Sequence, residues 1–375
     1  MTHIYTYDDA LRWAELFSSA SGMERATDII YSAVQSAYRE LADLGTWRYL
    51  VRPLRIVTRP LYDTGSVSYT EATRQVSLSG GTWPSWAAEG TLRIGATHYR
   101  VESRVSDTVL TLVESETPGE DVSSTNDWHL VQEQYDLPIT FRALMMPVSR
   151  AWEMHMISRD DWLYLRTTMP SLGIPVRFAI VPSRHTPSRL SMAVYPAPRE
   201  RRAIDLFYLS SPAPMTVTGR ADADRSGTVS VSGTSVTGTG TSFSPAHVGA
   251  VLRIGSGSEV PTGLDGRRPY VAQAVIQSVE SATALTVRES LGTANGVGYI
   301  ISSPLDVEEP LLNLFRRCVE KHVATIIRMD RMQMSVAQEA FQQAFIVARE
   351  AQLADISTAY PGLDQVRPTR WGRAF

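Results

Sequence analysis

The sequence predicts an α+β protein with a discontinuous α-helical domain formed by both chain ends, a β-rich middle piece, and two inserted small antiparallel β lobes of the barrel or sandwich type. Three observations lead to this prediction. Helical periodicity dominates the two ends of the chain, short strand-like runs fill its middle, and one β-rich stretch occurs twice. With 375 residues, 43% of them hydrophobic, the chain can form about two to four domains with sizeable cores.

Residues 1–50 supply the N-terminal part of the helical domain. An acidic pair, Asp8 and Asp9, can cap a short first helix. A second helix is predicted over about 23–44, because a capping box precedes it and its apolar residues recur on one face. Gly45 is suited to end this helix.

Residues 51–135 form the first lobe and residues 223–303 the second lobe, which we interpret as two copies of one unit. Valines that alternate with Ser, Thr and Gly are typical of half-buried strands with one face in solvent. Turn-rich sequence precedes each lobe, so we expect both lobes to be peripheral. The matched residues are Val76, Gly80, Trp83, Leu92, Arg93, Ile94 and Gly95 and, 160 positions later, Val236, Gly240, Phe243, Leu252, Arg253, Ile254 and Gly255.

Residues 136–222 form the middle piece, a β-rich connection between the lobes. A brief helix is predicted after Ser158, whose side chain can cap it with Asp161 at the third helical position. Short strands that end near prolines are predicted over 176–181, 190–195 and 203–209.

Residues 304–358 supply the C-terminal part of the helical domain, and residues 359–375 an extended tail. The apolar stripe of a first helix loses its phase around 330–334, and a second helix then begins. Small residues dominate the face of that second helix, which favours close packing. The face comprises Ala337, Phe341, Ala344, Phe345, Ala348 and Ala351.

Composition excludes several classes of site. A net charge of −3 argues against nucleic acid or an anionic membrane as the main ligand. Cys318 is the single cysteine, so an intramolecular disulfide is excluded. The seven histidines include no pair at the His-x-x-x-His spacing of a helical metal site, and His322 is better explained as a hydrogen-bonded core residue. No apolar run approaches the about 18 residues of a membrane span.

Two acidic motifs imitate functional sites. The run 222–227 has oxygen-bearing side chains and a glycine at the positions where a calcium-binding loop has them. Gly233, however, occupies the position where that loop needs a glutamate. We interpret the run as an Asp-rich turn. The neighbours Asp160 and Asp161 point apart on a helix, which disfavours a catalytic acid and base. The sequence therefore predicts no catalytic residues, no metal site and no cofactor.

The order of these motifs resembles that of the head-to-tail adaptor proteins of tailed bacteriophages, also called upper tail tubular or head-completion proteins. The similarity covers nearly the whole chain, and its specificity lies in the order, since each motif alone is loose. The second lobe also looks like a module of phage virion proteins. The motif residues are Trp47, Leu137 and Pro138 with Phe141, Gly173-Ile174-Pro175, Tyr195-Pro196-Ala197-Pro198, and Phe207-Tyr208.

The resemblance implies a structural role and no enzymatic activity. It implies a homo-oligomeric ring, typically of twelve subunits, that binds the portal protein, contacts tail nozzle, tube or fibre proteins, and surrounds the genomic DNA. The location implied is the virion neck, after synthesis in the host cytoplasm. The chain departs from shorter adaptors by its two lobes. Two alternatives therefore stay open: lobes that bind host glycan or anchor tail fibres, and an enzyme such as a cell-wall hydrolase.

The tail is the predicted docking segment for the portal or a neighbouring subunit. Its prolines disfavour a helix, and it has too few apolar residues to order itself. Arginine and aromatic side chains are frequent anchors when an extended segment binds another protein. The predicted docking residues are Arg367, Arg370, Trp371, Arg373 and Phe375.

Overall fold

The computed structural model describes residues 3–18, 24–145, 154–184, 186, 188–262, 268–326 and 331–359. The protein is a mixed α+β structure with two curled antiparallel sheets, which confirms the predicted fold class. Its helices are α1 Tyr7–Ser18, α2 Glu24–Asp43, α3 Arg159–Thr168, α4 Asp222–Arg225, α5 Leu312–Ile326 and α6 Arg331–Ala359.

The strands fall into three groups along the chain. Those of the first lobe and its flanks are β1 Val51–Val57, β2 Ser66–Thr70, β3 Gln75–Ser79, β4 Thr91–Ile94, β5 Thr97–Arg104, β6 Val109–Leu112, β7 Val122–Thr125, β8 Trp128–Val131 and β9 Gln134–Asp136. Those of the middle piece are β10 Phe141–Met145, β11 His155–Met156, β12 Leu172–Gly173, β13 Arg177–Pro182, β14 Leu190–Tyr195, β15 Ala197–Pro198 and β16 Ala203–Ser210. Those of the second lobe are β17 Thr228–Ser232, β18 Ser235–Thr239, β19 Val251–Ile254, β20 Ala272–Ser281, β21 Ala284–Val287, β22 Thr293–Val297 and β23 Tyr299–Ser302.

The two lobes have the same strand order, β7-β2-β3-β6-β5-β4-β8 in the first and β22-β17-β18-β21-β20-β19-β23 in the second. The edge strands of each sheet are consecutive in sequence, since β7 ends at Thr125 and β8 begins at Trp128. A flat seven-stranded sheet would hold its edges about 29 Å apart. The link from Thr125 to Trp128 spans at most about 11 Å. The sheet must therefore curl until its edges meet, and each lobe becomes a small barrel.

The cores of the two lobes contain equivalent aromatic pairs. Trp83 meets Trp128 edge to face at 5.3 Å, and the equivalent Phe243 meets Tyr299 at 5.7 Å. All four rings are buried. Edge-to-face pairs at this separation are favourable beyond the area that they bury. The repeated aromatic residues thus fill equivalent places in the cores of the two barrels.

The chain divides into two compact units, Met1–Leu50 with Pro212–Phe375, and Val51–Ser211. The second of these contains the first lobe and the middle piece. Its strand β16 pairs with β1 and β10, and β14 pairs with β13 and β9. The predicted strands and the Ser158 cap of α3 are observed, with the Asp161 N–H donating to the Ser158 hydroxyl at 3.0 Å.

Three predicted boundaries differ from the structure. The strands β1 and β9 were assigned to the first lobe, yet both complete sheets of the middle piece. The sheet that a strand joins depends on partners that are distant in sequence, so local alternation could not assign these two strands. Residues 212–222 were assigned to the middle piece but belong to the unit with the helices. There, Gln35 and Tyr38 of α2 donate to the carbonyls of Met215 and Ala213.

The helices of both chain ends pack together in the first unit. Phe315 of α5 meets Tyr38 of α2 and Trp13 of α1 edge to face. The apolar stripes on these helices are buried by this packing, which is the main source of stability for an amphipathic helix. None of the described helices has the length and apolar character required to cross a membrane.

The second lobe is not peripheral, and that prediction is wrong for this lobe. Its Ser302 hydroxyl accepts the backbone N–H of Asp8 at the start of α1, at 3.0 Å. The backbone of Tyr7 donates to the carbonyl of Ser303 at 2.9 Å. The turn-rich sequence before the lobe predicted that the lobe packs apart from the helices. Such sequence gives no information about which helix the barrel wall contacts.

Candidate functional site

A polar cluster joins α2 to α5 inside the helical bundle. The Glu40 carboxylate of α2 meets three groups of α5: His322 Nε2 at 2.6 Å, Cys318 Sγ at 3.5 Å, and the ammonium of Lys321. Cys318 is fully buried, and the other three side chains are half-buried. Glu40, Cys318 and His322 are residue types that bind metal ions, and their ligand atoms lie within 4.8 Å of one another.

The chemistry of this cluster favours an interhelical bond over a metal site. Burial raises the pKa of the Cys318 thiol, and the neighbouring Glu40 raises it further, whereas a metal ligand must be a thiolate. Burial alone raises the pKa of Glu40, but hydrogen bonds from Lys321 and His322 outweigh it and lower the pKa. The carboxylate charge is thus balanced by Lys321. His322 is hydrogen-bonded, as the sequence analysis expected.

A buried ion pair fastens the start of α1 to the wall of the second lobe. The Arg253 guanidinium, 2% exposed, binds Asp9 with two hydrogen bonds, at 2.9 Å and 2.7 Å. It also donates to the Ile4 carbonyl at 2.6 Å and lies 4.6 Å from the centre of the Tyr270 ring. Bidentate arginine–carboxylate pairs combine strength with a fixed orientation.

Asp9 has a second role at the third position of α1, where it binds the residue that precedes the helix. Its Oδ2 accepts the backbone N–H and the hydroxyl of Thr6, at 2.9 Å and 3.1 Å. Burial alone raises the pKa of Asp9, but the hydrogen bond and the charge of Arg253 outweigh it, so the pKa lies below its ordinary value. The helix begins at Tyr7, so Asp8 and Asp9 both lie in its first turn, and the prediction that one of them is the N-cap is wrong. The pairing of Asp9 with Arg253 was not predicted.

The Asp-rich run 222–227 contains the short helix α4, where a turn was expected. Asp224 is buried, accepts the backbone N–H of Gly219 at 2.9 Å, and lies 3.3 Å from His247 Nε2. Its carboxylate thereby serves the packing of the second lobe.

A solvent-exposed apolar surface runs along α6. The helix buries one side against α5, through Ala337, Phe341, Ala344 and Ala348. Phe345 is half-buried, and the expected burial of Ala351 is wrong because that residue is exposed. On another side lies what we name the α6 surface, four residues within about 100° of helical arc: Met332, Val336, Ile346 and Val347, which are 78%, 58%, 55% and 63% exposed.

A groove continues the α6 surface toward α1. Its cavity volume is about 400 Å³, and Phe17, Met332 and Val336 supply apolar walls. Arg317 and Glu320 form a polar rim and are joined by a hydrogen bond of 2.6 Å. An apolar patch bordered by polar residues is the usual appearance of a protein-binding surface.

The predicted docking residues of the tail, Arg367, Arg370, Trp371, Arg373 and Phe375, lie outside the described residues. The α6 surface was not predicted, because the prediction for this helix rests on a single apolar stripe. A second stripe at helical spacing was present in the sequence. The Arg253 pair was missed because its partner lies 244 residues away in the chain.

Comparison with protein-family models gives no matching family, and comparison with curated proteins gives no matching relative.

Proposed function

We propose that the protein is a structural head-to-tail adaptor of a tailed bacteriophage. In this role it forms a homo-oligomeric ring below the portal protein, in the neck of the virion, and surrounds the DNA channel. Neighbouring subunits, the portal and tail components are its partners. The proposal rests on the order of sequence motifs that resembles this family, and it involves no catalytic residue.

The α6 surface is the observation that best supports an assembling protein. Four large apolar side chains on one side of a 29-residue helix are costly to leave in water, since burying each side chain contributes about 1.5–3 kcal/mol. A neighbouring subunit in a ring would cover them. The buried side of the same helix already packs on α5, so one helix can serve both the fold and the interface.

Imaging tests the proposal directly. We expect negative-stain electron microscopy of the protein, mixed with purified portal protein, to reveal rings bound to one end of the portal. Native mass spectrometry of the same mixture gives the subunit count. A protein that stays monomeric and does not bind the portal under these conditions is not an adaptor.

The tail provides a second prediction. Removing residues 360–375 is expected to leave the monomer fold and unfolding temperature unchanged and to abolish assembly on the portal, because the arginine and aromatic anchors are lost. Co-sedimentation with the portal measures this. A control that replaces Gln365 and Thr369 by alanine keeps the anchors and should assemble normally. Unchanged assembly of the truncated protein would show that the tail is dispensable.

A further inference from the structure

The second lobe contains a carboxylate-binding site on the outer wall of its barrel. Arg253 of β19 lies between Gln273 of β20 and Ile300 of β23. Its guanidinium holds the Asp9 carboxylate with two hydrogen bonds, and Gln273 Oε1 accepts from its Nε at 3.3 Å. The arginine at this point of the barrel therefore recognises an acidic side chain brought by another part of the chain.

The first lobe repeats this position without the partner. Arg93 of β4 occupies the register of Arg253 and lies between His98 of β5 and His129 of β8. Leu92 is buried in the barrel and Ile94 packs against its core, so the side chain between them faces outward. Among the residues that the structure describes, the Arg93 side chain has no hydrogen-bond or ion-pair partner. It is half-buried.

The Arg93 side chain lines a small pocket. Both histidines line it, and residues of the middle piece close its other side, among them Arg166 of α3, Tyr195 and Ser171. The pocket has a volume of about 40 Å³. A single water needs about 10–15 Å³ on this scale, so the space suits a group of a few atoms such as a carboxylate.

The charges around this pocket are predominantly positive. Its carboxylate, Glu133, is already held by Arg166 at 2.7 Å, and both side chains are largely buried. Nearby, burial and the charge of Arg166 lower the pKa of Arg184 to about 10. Arg184 donates to the Thr91 hydroxyl at 2.9 Å, which supplies no negative charge. An arginine in such surroundings favours an incoming anion.

The positive charges around the pocket also affect the pKa values of His98 and His129. Burial lowers the pKa of His98. The charge of Glu133 opposes this effect, and the charges of Arg166 and Arg93 add to it. Burial lowers the pKa of His129, and Arg93 and His98 add to the effect. A bound anion would act in the opposite direction and favour the imidazolium forms.

We propose that the Arg93 pocket binds a carboxylate, an aspartate or glutamate side chain presented by a partner protein, in the way that Arg253 binds Asp9. The guanidinium fork receives the two oxygens, and the flanking histidines donate hydrogen bonds once protonated. One copy of the repeated site thus holds a carboxylate of its own chain, and the other accepts one from outside. This inference does not depend on the proposed role in a virion.

Titration with N-acetylaspartate N-methylamide tests the site in the full-length protein. With ¹³C-labelled histidine side chains, NMR reports all seven histidines separately. At constant ionic strength we expect the signals of His98 and His129 to shift saturably. Replacing Arg93 by glutamine should weaken this binding about 10- to 100-fold, the loss expected when one charged hydrogen-bonding partner is removed. Arg93→Lys retains the positive charge without the planar guanidinium, so its affinity for the probe should lie between those of the unchanged protein and Arg93→Gln.

The controls separate this site from general charge effects. Arg177→Gln removes an exposed arginine of the same unit and should bind the probe like the unchanged protein. The unfolding midpoint of Arg93→Gln should be unchanged, because the side chain has no described partner to lose. The proposal is wrong if the probe gives no saturable shift, or if Arg93→Gln binds equally well. Inorganic phosphate that binds more than about tenfold tighter than the probe would also overturn it.

The pH dependence gives an independent readout. We expect affinity for the probe to increase from about pH 8 to about pH 6, because binding favours protonated histidines while the probe's carboxylate stays ionised. Unchanged affinity across this range would contradict the role given to the histidines. The charged groups that act on them are Arg93, Arg166, Glu133, Asp63 and Asp127.

Discussion

Arg253→Met is expected to lower the free energy of unfolding of the first unit by about 3–5 kcal/mol, because it leaves the Asp9 carboxylate buried without its counter-ion. Denaturant unfolding followed by circular dichroism measures the change. The matched double variant, Arg253→Met with Asp9→Leu, removes both charges. It should lose much less stability than the single variant, since apolar replacements of a buried pair are often neutral.

A variant at an exposed ion pair calibrates this expectation. Arg74 and Glu102 of the first lobe form an exposed ion pair at 3.0 Å, and Glu102→Gln should change stability by at most about 1 kcal/mol.

Acid unfolding gives a further test of the Asp9 pair. The pKa of Asp9 is lower in the folded than in the unfolded chain, so its stabilisation is present above about pH 4 and is lost as the pH falls further. Arg253→Met should lose this part of the acid dependence. Equal stabilities of the single variant and the unchanged protein would refute the role of the pair.

Replacing Val336 and Val347 by aspartate is expected to abolish the proposed ring assembly while the helical signal stays unchanged. The two side chains are 58% and 63% exposed in the subunit, so the charges are hydrated before association and would have to be buried during it. We expect the association constant to fall by more than about 100-fold. Analytical ultracentrifugation and imaging with the portal protein measure the effect.

The matched control changes a different side of the same helix. Gln338 and Gln342 are exposed and lie outside the α6 surface, so their replacement by aspartate adds the same charge without touching the apolar residues. This control should assemble normally. Assembly by the valine variant would show that the α6 surface is not an interface, and a loss in both variants would point to charge alone.

The sequence by itself determined the features that depend on nearby residues. The strands of the middle piece, the Ser158 cap and the separate helices follow from periodicity and capping within short windows. The internal repeat predicted two similar β lobes, because residues such as Trp83 and Phe243 fill equivalent places in equivalent cores. The equal spacing of these residues in the two copies is visible in the sequence itself.

Tertiary structure alone decided what each repeated position does. Arg93 and Arg253 stand in the same four-residue motif and at the same strand register, and no local signal distinguishes them. One is buried on Asp9, 244 residues distant, and the other faces a pocket between two histidines. The same holds for β1 and β9, whose alternation fits either neighbouring sheet. An ion pair or a strand pairing is a property of two distant segments, so its outcome depends on where the whole chain brings them together.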